Sequence, residues 1–371
     1  MTEPKGRVLV VTSGALFVRG GHLTIAEETA AAIRRAGHLA EVVVTPQNRF
    51  GRQLSAYLAT WLTDVGETAD GHPVDQVITF RLPSYAVRHP RHVCWINHRM
   101  REYYDLWERF SHGMGRRLLY KERVRRRLFH AIDRRLLTRN VTRLVAQSRT
   151  IQARLQRFGR IPSELLYPPA PERPYRTDGY GDYVFAVSRL TALKRLDLLV
   201  EAAALMKERG LRVLIAGEGE QEEKLRARIA QLGLGERVQL LGAVSEEQLV
   251  AHYAACRAVY FAPWNEDYGF VTLEAFRSGK AVLTTHDSGG PSELVQDGVT
   301  GSVSEPSPAA LAERLDALAR DRGLAERMGQ AALQAAAAHT WDRAVEALVG
   351  AALPSTIVGS DGRQGGSAQQ E

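Results

Sequence analysis

The sequence predicts an α/β protein of two domains, each a parallel sheet with helices on both faces, facing one another across a cleft. Three observations lead there: an apolar run that needs cover on both faces, a strand–helix alternation that occurs twice, and a Pro- and Gly-bearing stretch between the two occurrences. At 371 residues the chain has room for two domains of about 100–200 residues each.

Residues 7–12, RVLVVT, form the continuous apolar run of a strand covered on both sides, and a Gly-bearing loop follows. Leu23, Ala26, Ala30 and Ile33 then recur at helical spacing, Gly37 stops that helix, and 41–45 (EVVVT) is the next strand. Further strands are expected at 76–80, 92–96 and 143–147, before the chain turns at Tyr167-Pro168-Pro169. Prolines, glycines and scattered charge mark 170–182 as a linker, so the first domain is expected over 1–169 and the second over 183–338. In the second, strands are expected at 183–187, 211–216, 237–241, 258–262 and 281–285, separated by helical stretches that include 195–209 and 222–232. Beyond Pro308 the chain reads as Ala-rich helix, ending in a helix over 339–353, and the Gly-, Ser- and Gln-rich tail 354–371 is expected to be disordered.

Composition excludes several classes. With 44% hydrophobic and 25% charged residues the chain is neither a coiled coil nor a disordered protein. Cys94 and Cys256 lack the paired spacing of a zinc site or a disulfide framework and are expected to be buried thiols in a reducing compartment. The N-terminal residues lead into a strand without an apolar signal core, and no stretch reaches the ~18 apolar residues of a membrane span, so a soluble, cytoplasmic chain is expected. The net charge of +7 is unevenly placed. Between Arg99 and Arg160 stand 18 Lys or Arg against 5 Asp or Glu, a local +13 that leaves −6 for the remainder. Within that segment arginines alternate with Leu118, Leu119, Val124, Leu128, Ile132 and Leu136, which fits an amphipathic helix with its apolar stripe on the core and its arginines outward. A solvated face is the default reading; the sharper one is contact of Arg116–Arg135 with an anionic membrane surface or an acidic acceptor. A nucleic-acid-binding protein is the rival from another class, but no zinc motif, helix-turn-helix cue or aromatic-rich strand accompanies the arginines.

Four loops at strand ends could carry chemistry. Glu266 to Glu274 reads EDYGFVTLE, with Gly269 marking a loop that yields to a helix at about Phe270, whose free N–H groups would face an anion. A solvated glutamate pair fits the spacing equally. Arg189 and Lys194 lie at the turn after 183–187, where a fork of donors and a point cation suit a diphosphate, although a solvated basic cluster is the simpler reading of those two alone. Gly217-Glu218-Gly219 supplies only two glycines of a dinucleotide fingerprint, so a nicotinamide enzyme is a poor fit. The fourth loop runs from Asp287 through Gly289-Gly290 to Glu293, with a helix expected from Pro291. Four loops at carboxyl ends of parallel strands converge on one crevice.

These residues resemble the donor-binding domain of the retaining glycosyltransferases of family 4, which have the GT-B architecture of two facing Rossmann-like domains. The resemblance rests on Ser188-Arg189-Leu190 with Lys194, Gly217-Glu218-Gly219, Glu266 through Glu274, and Gly289-Gly290 with Glu293, over about 183–301. In the first half it is looser: Gly20-Gly21 before a helix, Gln147-Ser148, and Cys94-Trp95-Ile96-Asn97-His98-Arg99 with Tyr104-Asp105-Leu106-Trp107, the last resembling a bacterial subgroup acting in polysaccharide assembly and natural-product glycosylation. Ser188 departs from the glycine commoner at its position.

The resemblance implies a C-terminal helix crossing back to the first domain. It implies transfer of a hexose-type sugar from a nucleotide diphosphate sugar to an acceptor hydroxyl with retention and without a metal or other cofactor, and the sequence has no Asp-x-Asp pair to hold a divalent ion. The acceptor would be a cell-surface glycan, a lipid-linked sugar or a natural product, and the enzyme could sit peripherally on the inner membrane face. Glu266 would meet donor-sugar hydroxyls, Glu274 the ribose, Arg189 and Lys194 the diphosphate, helped by Gly20, Gly21 and the amides of Gly269, Phe270 and Val271. Glu218 would lie near the base or ribose, and His98, just past strand 92–96, near the reacting carbon; a surface or capping role is the plain alternative for His98. A GT-B sugar-nucleotide epimerase is the alternative activity, and no nucleic acid is expected as a partner.

Overall fold

The computed structural model describes residues 4–350 except 16, 18, 19, 48 and 49. The expected tail 354–371, and residues 351–353 of the expected last helix, lie outside the described residues.

Twelve strands form two six-stranded parallel sheets. The first holds β1 (Arg7–Gly14), β2 (Leu39–Pro46), β3 (Gln76–Arg81), β4 (His92–His98), β5 (Arg143–Ala146) and β6 (Glu164–Leu165), in the order β2-β1-β3-β4-β5-β6. The second holds β7 (Tyr183–Val187), β8 (Arg212–Ala216), β9 (Val238–Gly242), β10 (Ala258–Tyr260), β11 (Val282–Thr285) and β12 (Gly301–Ser304), in the order β12-β11-β10-β7-β8-β9. Strand order reverses between β1 and β3 in one sheet and between β7 and β10 in the other. At such switch points the loops on either side diverge to opposite faces and leave a crevice at the carboxyl ends.

β6 and β12 have no counterpart among the expected strands. β6 has two residues, and GSVS in β12 carries a single large apolar side chain, so neither leaves a hydrophobic pattern to read. β4 runs two residues beyond its expected end and so includes His98.

Each sheet is buried on both faces, as parallel sheets are. The helix Gly21–Arg35 packs Ile25, Ala26, Ala30 and Ile33 on one face of the first sheet. Beside it lies the C-terminal helix, Trp341–Val345 continued by a wider turn over Glu346–Gly350, which has crossed back from the second sheet with Trp341, Val345, Leu348 and Val349 buried. Gln76 Nε2 donates to the Leu348 carbonyl at 2.8 Å, Arg143 donates to the Ala347 carbonyl, and Trp341 Nε1 donates to Ala170 O at 2.9 Å. The crossing is therefore fixed by hydrogen bonds as well as by apolar contact.

The arginine-rich helix Arg116–Arg135 corrects the expected stripe. Its buried residues are Glu122, Phe129 and Asp133, while Leu118, Val124 and Leu128 are nearly half exposed and Tyr120 is 72% exposed. Only Ile132 and Leu136 of the expected stripe pack against the core. The reason is a set of buried tyrosines whose hydroxyls need acceptors. Asp133 accepts from Tyr57, Tyr85 (2.7 Å) and Tyr104 (2.7 Å), and Glu122 accepts from Tyr103 (2.5 Å). Satisfying four hydroxyls turns the acidic face inward and leaves much of the apolar stripe in solvent.

Trp341 sets a test of the crossover. Trp341→Ala should lower the unfolding free energy in urea by about 3–5 kcal/mol, the range for deleting a buried aromatic side chain. A loss below about 1 kcal/mol would mean that the helix is only loosely docked.

Candidate active site

Backbone contacts between loops build the crevice of the second sheet. Gly217, at φ +124, brings the loop after β8 so close to that after β7 that a Cβ there would lie 1.9 Å from the Ser188 carbonyl oxygen. Leu190 N donates to Glu218 O across the same junction at 2.8 Å. Gly289, at φ +75, lets the loop after β11 meet that after β10, where Glu266 N donates to Ser288 O and Gly290 N donates to Glu266 O. Any other residue at either glycine would push two loops apart. Arg195 ties three of them: it donates to Ala262 O and Pro263 O, to Thr285 Oγ1, and bidentately to Asp287 at 2.8 Å. Of the adjacent cations 194 and 195, the second is thus committed to structure.

On this scaffold Lys194 Nζ stands 2.6 Å from Glu266 Oε2, over the ring of Phe261. Arg189 is exposed at the mouth of the loop after β7, and Glu218 is exposed after β8. Neither side chain has a hydrogen-bond or ion-pair partner among the described residues. Gly269 has φ +81, and the helix expected at about Phe270 runs Val271–Arg277. Across the cleft Gly21 lies against Phe270, with 3.5 Å between its ideal Cβ position and the ring. Glu274 is set apart from this group. It is 6% exposed, with Arg173 of the linker at 2.5 Å from Oε1 and the Tyr253 hydroxyl donating to Oε2 at 2.7 Å.

His98 faces the same crevice from the first sheet, with Nδ1 3.3 Å from the Asp267 carboxylate. Burial and the guanidiniums of Arg81 and Arg101 lower its pKa despite Asp267. A neutral ring that donates from Nδ1 keeps Nε2 as an acceptor.

Asp267, next to Glu266, is the residue that sequence reasoning missed. Arg154 pairs directly with it, Arg101 approaches to 3.8 Å, and Ser148 Oγ donates to its carbonyl at 2.5 Å. Arg101 and Arg154 also donate to the Asn265 carbonyl and share Asp105. Burial alone would raise the Asp267 carboxyl, but Arg101, Arg154 and His98 bring it far below its ordinary value. Glu293 makes a second inter-domain tie. Its carboxylate accepts from the backbone N–H of Arg149 (2.7 Å) and Thr150 (2.6 Å), the first turn of the helix Arg149–Arg157, and from the Tyr167 hydroxyl. Adjacency to Glu266 was the only local signal for Asp267, and nothing in the sequence pairs it with an arginine 113 residues earlier.

These ties have a pH signature. Because the Asp267 carboxyl is depressed in the folded state, the stability it contributes is fully present above the ordinary value of 3.8 and is lost as pH falls below it. Asp267→Asn should cost up to about 3–5 kcal/mol at neutral pH by leaving Arg154 and Arg101 without their carboxylate. In urea titrations the gap between wild type and variant should stay constant down to about pH 4 and narrow below it; a pH-independent gap would deny the carboxylate's charge a stabilising role.

Residues 173–335 match the family model described as glycosyl transferases group 1. A D-inositol 3-phosphate glycosyltransferase of Nocardia farcinica is 39% identical over 173 residues, 44% of this chain and 38% of that protein. The chain thus aligns with about two-fifths of the length of that curated relative. Among solved structures, Anabaena HepE, crystallised with UDP and glucose, superposes with a TM-score of 0.69 at 18% identity, covering 92% of this chain and 99% of its own. WaaG, a glycosyltransferase involved in lipopolysaccharide biosynthesis, gives 0.68 at 18% identity over 92% of this chain and 100% of its own. The two facing parallel sheets are the GT-B fold, and the sequence match over the second sheet, joined to the fold match over both, supports the GT-B glycosyltransferase family.

Proposed function

We propose that the protein is a retaining, metal-independent glycosyltransferase of family 4, moving a hexose-type sugar from a nucleotide diphosphate sugar to an acceptor hydroxyl. One observation carries the reading: Lys194 and Glu266 are paired at the switch point of the second sheet, with Arg189 open beside them and His98 opposite. An arriving diphosphate takes the place of Glu266 as partner of Lys194. The freed carboxylate then accepts hydrogen bonds from donor-sugar hydroxyls. As the glycosidic bond breaks, charge builds on the leaving diphosphate, where Arg189 and Lys194 hold fixed positive charge that contributes a few kcal/mol, roughly 2–4. Glu266 is then taken up by the donor-sugar hydroxyls and Glu274 is buried between Arg173 and Tyr253, so neither is offered as a nucleophile. This fits a front-face reaction in which a donor phosphate oxygen takes the acceptor proton. Glu274, held rigid by its two partners, accepts the ribose hydroxyls on its remaining lone pairs, and the amides of Gly269, Phe270 and Val271 approach the phosphates together with Gly20 and Gly21.

The acceptor is a cell-surface glycan, a lipid-linked sugar or a natural product, and the exposed face of Arg116–Arg135 favours the lipid-linked class. Leu118, Tyr120, Val124 and Leu128 stand in solvent among Arg116, Arg117, Lys121, Arg123 and Arg127. Such a face suits peripheral docking on the anionic inner leaflet, at about 1 kcal/mol per basic residue near the surface. None of the described helices is long and apolar enough to cross a membrane.

Thermal denaturation against UDP, GDP, ADP and dTDP, free and as sugars, should single out one base, because a ligand of the folded state alone raises its apparent stability. With that donor, Lys194→Ala should lower kcat by about 10²–10³-fold, as loss of one fixed donor to a developing oxyanion does. Full activity in both Lys194→Ala and Glu274→Ala would sink the site assignment. Co-sedimentation should be strong with vesicles containing anionic lipid and weak with neutral ones; binding indifferent to lipid charge would remove the membrane docking.

A further inference from the structure

Buried cations in this chain follow a pattern that one of them breaks. Among the described residues, Arg81, Arg99, Arg237 and Lys280 are each more than nine-tenths buried. Arg237 donates to three backbone carbonyls, those of Leu211, Ala203 and Glu208. Arg99 donates to Arg154 O and lies 3.8 Å over the Tyr104 ring, and Lys280 donates to Gly179 O over the Tyr180 ring. The Arg81 guanidinium, at 9% exposure, has no hydrogen bond, ion pair or ring contact with any described residue, and its Nε is an orphaned buried donor. A structural arginine is buried with its fork occupied; an empty fork is the mark of a missing acceptor.

Its position says where the acceptor goes. Arg81 is the last residue of β3, one of the two strands that flank the switch point of the first sheet, and is in register with His98 of β4. The charges that influence it belong to the opposite domain. Burial pulls its pKa down to about 10, Asp267 opposes that, and Arg189 adds to it. In register with His98, whose ring meets Asp267 of the opposite domain, Arg81 faces the cleft, with Arg189 as the open cation on the other side. The nearby carboxylates are already engaged: Asp267 with Arg154, Arg101 and His98, Asp105 with Arg101 and Arg154, and Glu266 with Lys194. Two guanidiniums, one from each domain, are left without an ion-pair or hydrogen-bond partner among the described residues.

We propose that Arg81 is a substrate-binding residue of the first domain and that, with Arg189, it grips one phosphate-type oxyanion between the two sheets. A planar fork suits phosphate oxygens, and a dianion matches the two open charges. The oxyanion has two sources, the donor diphosphate or a phosphate carried by the acceptor. Both sources rest on the transferase reading, whereas an anion site between Arg81 and Arg189 stands without it. An unpaired buried charge also destabilises the empty protein, so Arg81 lowers stability in exchange for binding.

The experiment compares full-length wild type, Arg81→Gln and Arg81→Lys by calorimetric titration and thermal denaturation, using UDP, GDP, inorganic pyrophosphate and, on nucleotide-saturated protein, inorganic phosphate. Without anion, Arg81→Gln should melt at or above the wild-type temperature. If the anion is the donor diphosphate, Arg81→Gln weakens nucleoside diphosphate and pyrophosphate by about 10- to 100-fold, the range for a hydrogen bond to a charged group. If it is an acceptor phosphate, nucleotide affinity is unchanged while inorganic phosphate binds the saturated wild type and not Arg81→Gln. In either case Arg81→Lys, which keeps the charge, should recover part of the loss. Unchanged affinity for every probe in Arg81→Gln, or a ligand-free Arg81→Gln that melts well below wild type while Arg81→Lys does not, overturns the proposal. Failure of wild type to bind any of UDP, GDP, ADP and dTDP counts against the transferase reading, whereas the phosphate and pyrophosphate titrations still decide Arg81.

Discussion

The buried carboxylate of Asp267 constrains how the two sheets meet. It belongs to the second domain, and its partners His98, Arg101 and Arg154 belong to the first, so it is neutralised only while the cleft is closed. Taking such a group out of water costs several kcal/mol, which attraction to the partners offsets only when they are well placed. Opening would rehydrate all four groups together. The net balance of a buried ionic cluster is therefore small compared with its parts. Apolar contact of the same area would hold the halves shut more firmly. Glu293 follows the same logic with backbone N–H groups, since the first turn of Arg149–Arg157 has donors that either water or a carboxylate can satisfy.

The chain crosses between the sheets twice, and the two crossings meet. The linker passes through Ala170, and the return passes through Trp341, whose indole N–H donates to the Ala170 carbonyl. Tyr167, a few residues upstream, donates to Glu293, and the Tyr268 hydroxyl donates to the Pro168 carbonyl. The two crossings and the second domain are thus tied together at this one junction.

What the sequence made legible follows from the range of each signal. All ten expected strands are present, each marked by a short apolar run bounded by turn residues, with ends that differ from the expected ones by two residues at most. The loops bearing Arg189, Lys194, Gly217 and Glu266 follow directly from those strands, so the second-sheet side of the crevice was readable. Pairings between distant residues were not. Nothing local links Asp267 to Arg154, or orients Arg81 toward Arg189. The helix Arg116–Arg135 shows why pattern alone can mislead: its apolar spacing is genuine, but four tyrosine hydroxyls elsewhere in the first domain need Glu122 and Asp133 more than the core needs Leu118, Val124 and Leu128. An unmet hydrogen bond in the interior costs about 1–3 kcal/mol, comparable to burying one leucine, and four of them outweigh three half-exposed side chains.

Backbone conformation draws attention to the same two loops as the charges do. Arg195 and Asn265 have φ near +49 and +48, a region that costs a non-glycine residue about 1 kcal/mol or more, and they flank Lys194 and Glu266 directly. Each is over-determined. Arg195 is fixed by its donors to the loops after β10 and β11, and Asn265 is fixed by N–H donation to Asp287 O and by a carbonyl that accepts from Arg101 and Arg154 of the other domain. A relaxed backbone at either position would turn Lys194 or Glu266 away from its partner. In these two loops the strain falls on the residues that flank the central ion pair, and at Asn265 it is sustained partly by the opposite domain. The aim of Glu266 therefore rests in part on the first domain, through the donation of Arg101 and Arg154 to the carbonyl of Asn265 beside it.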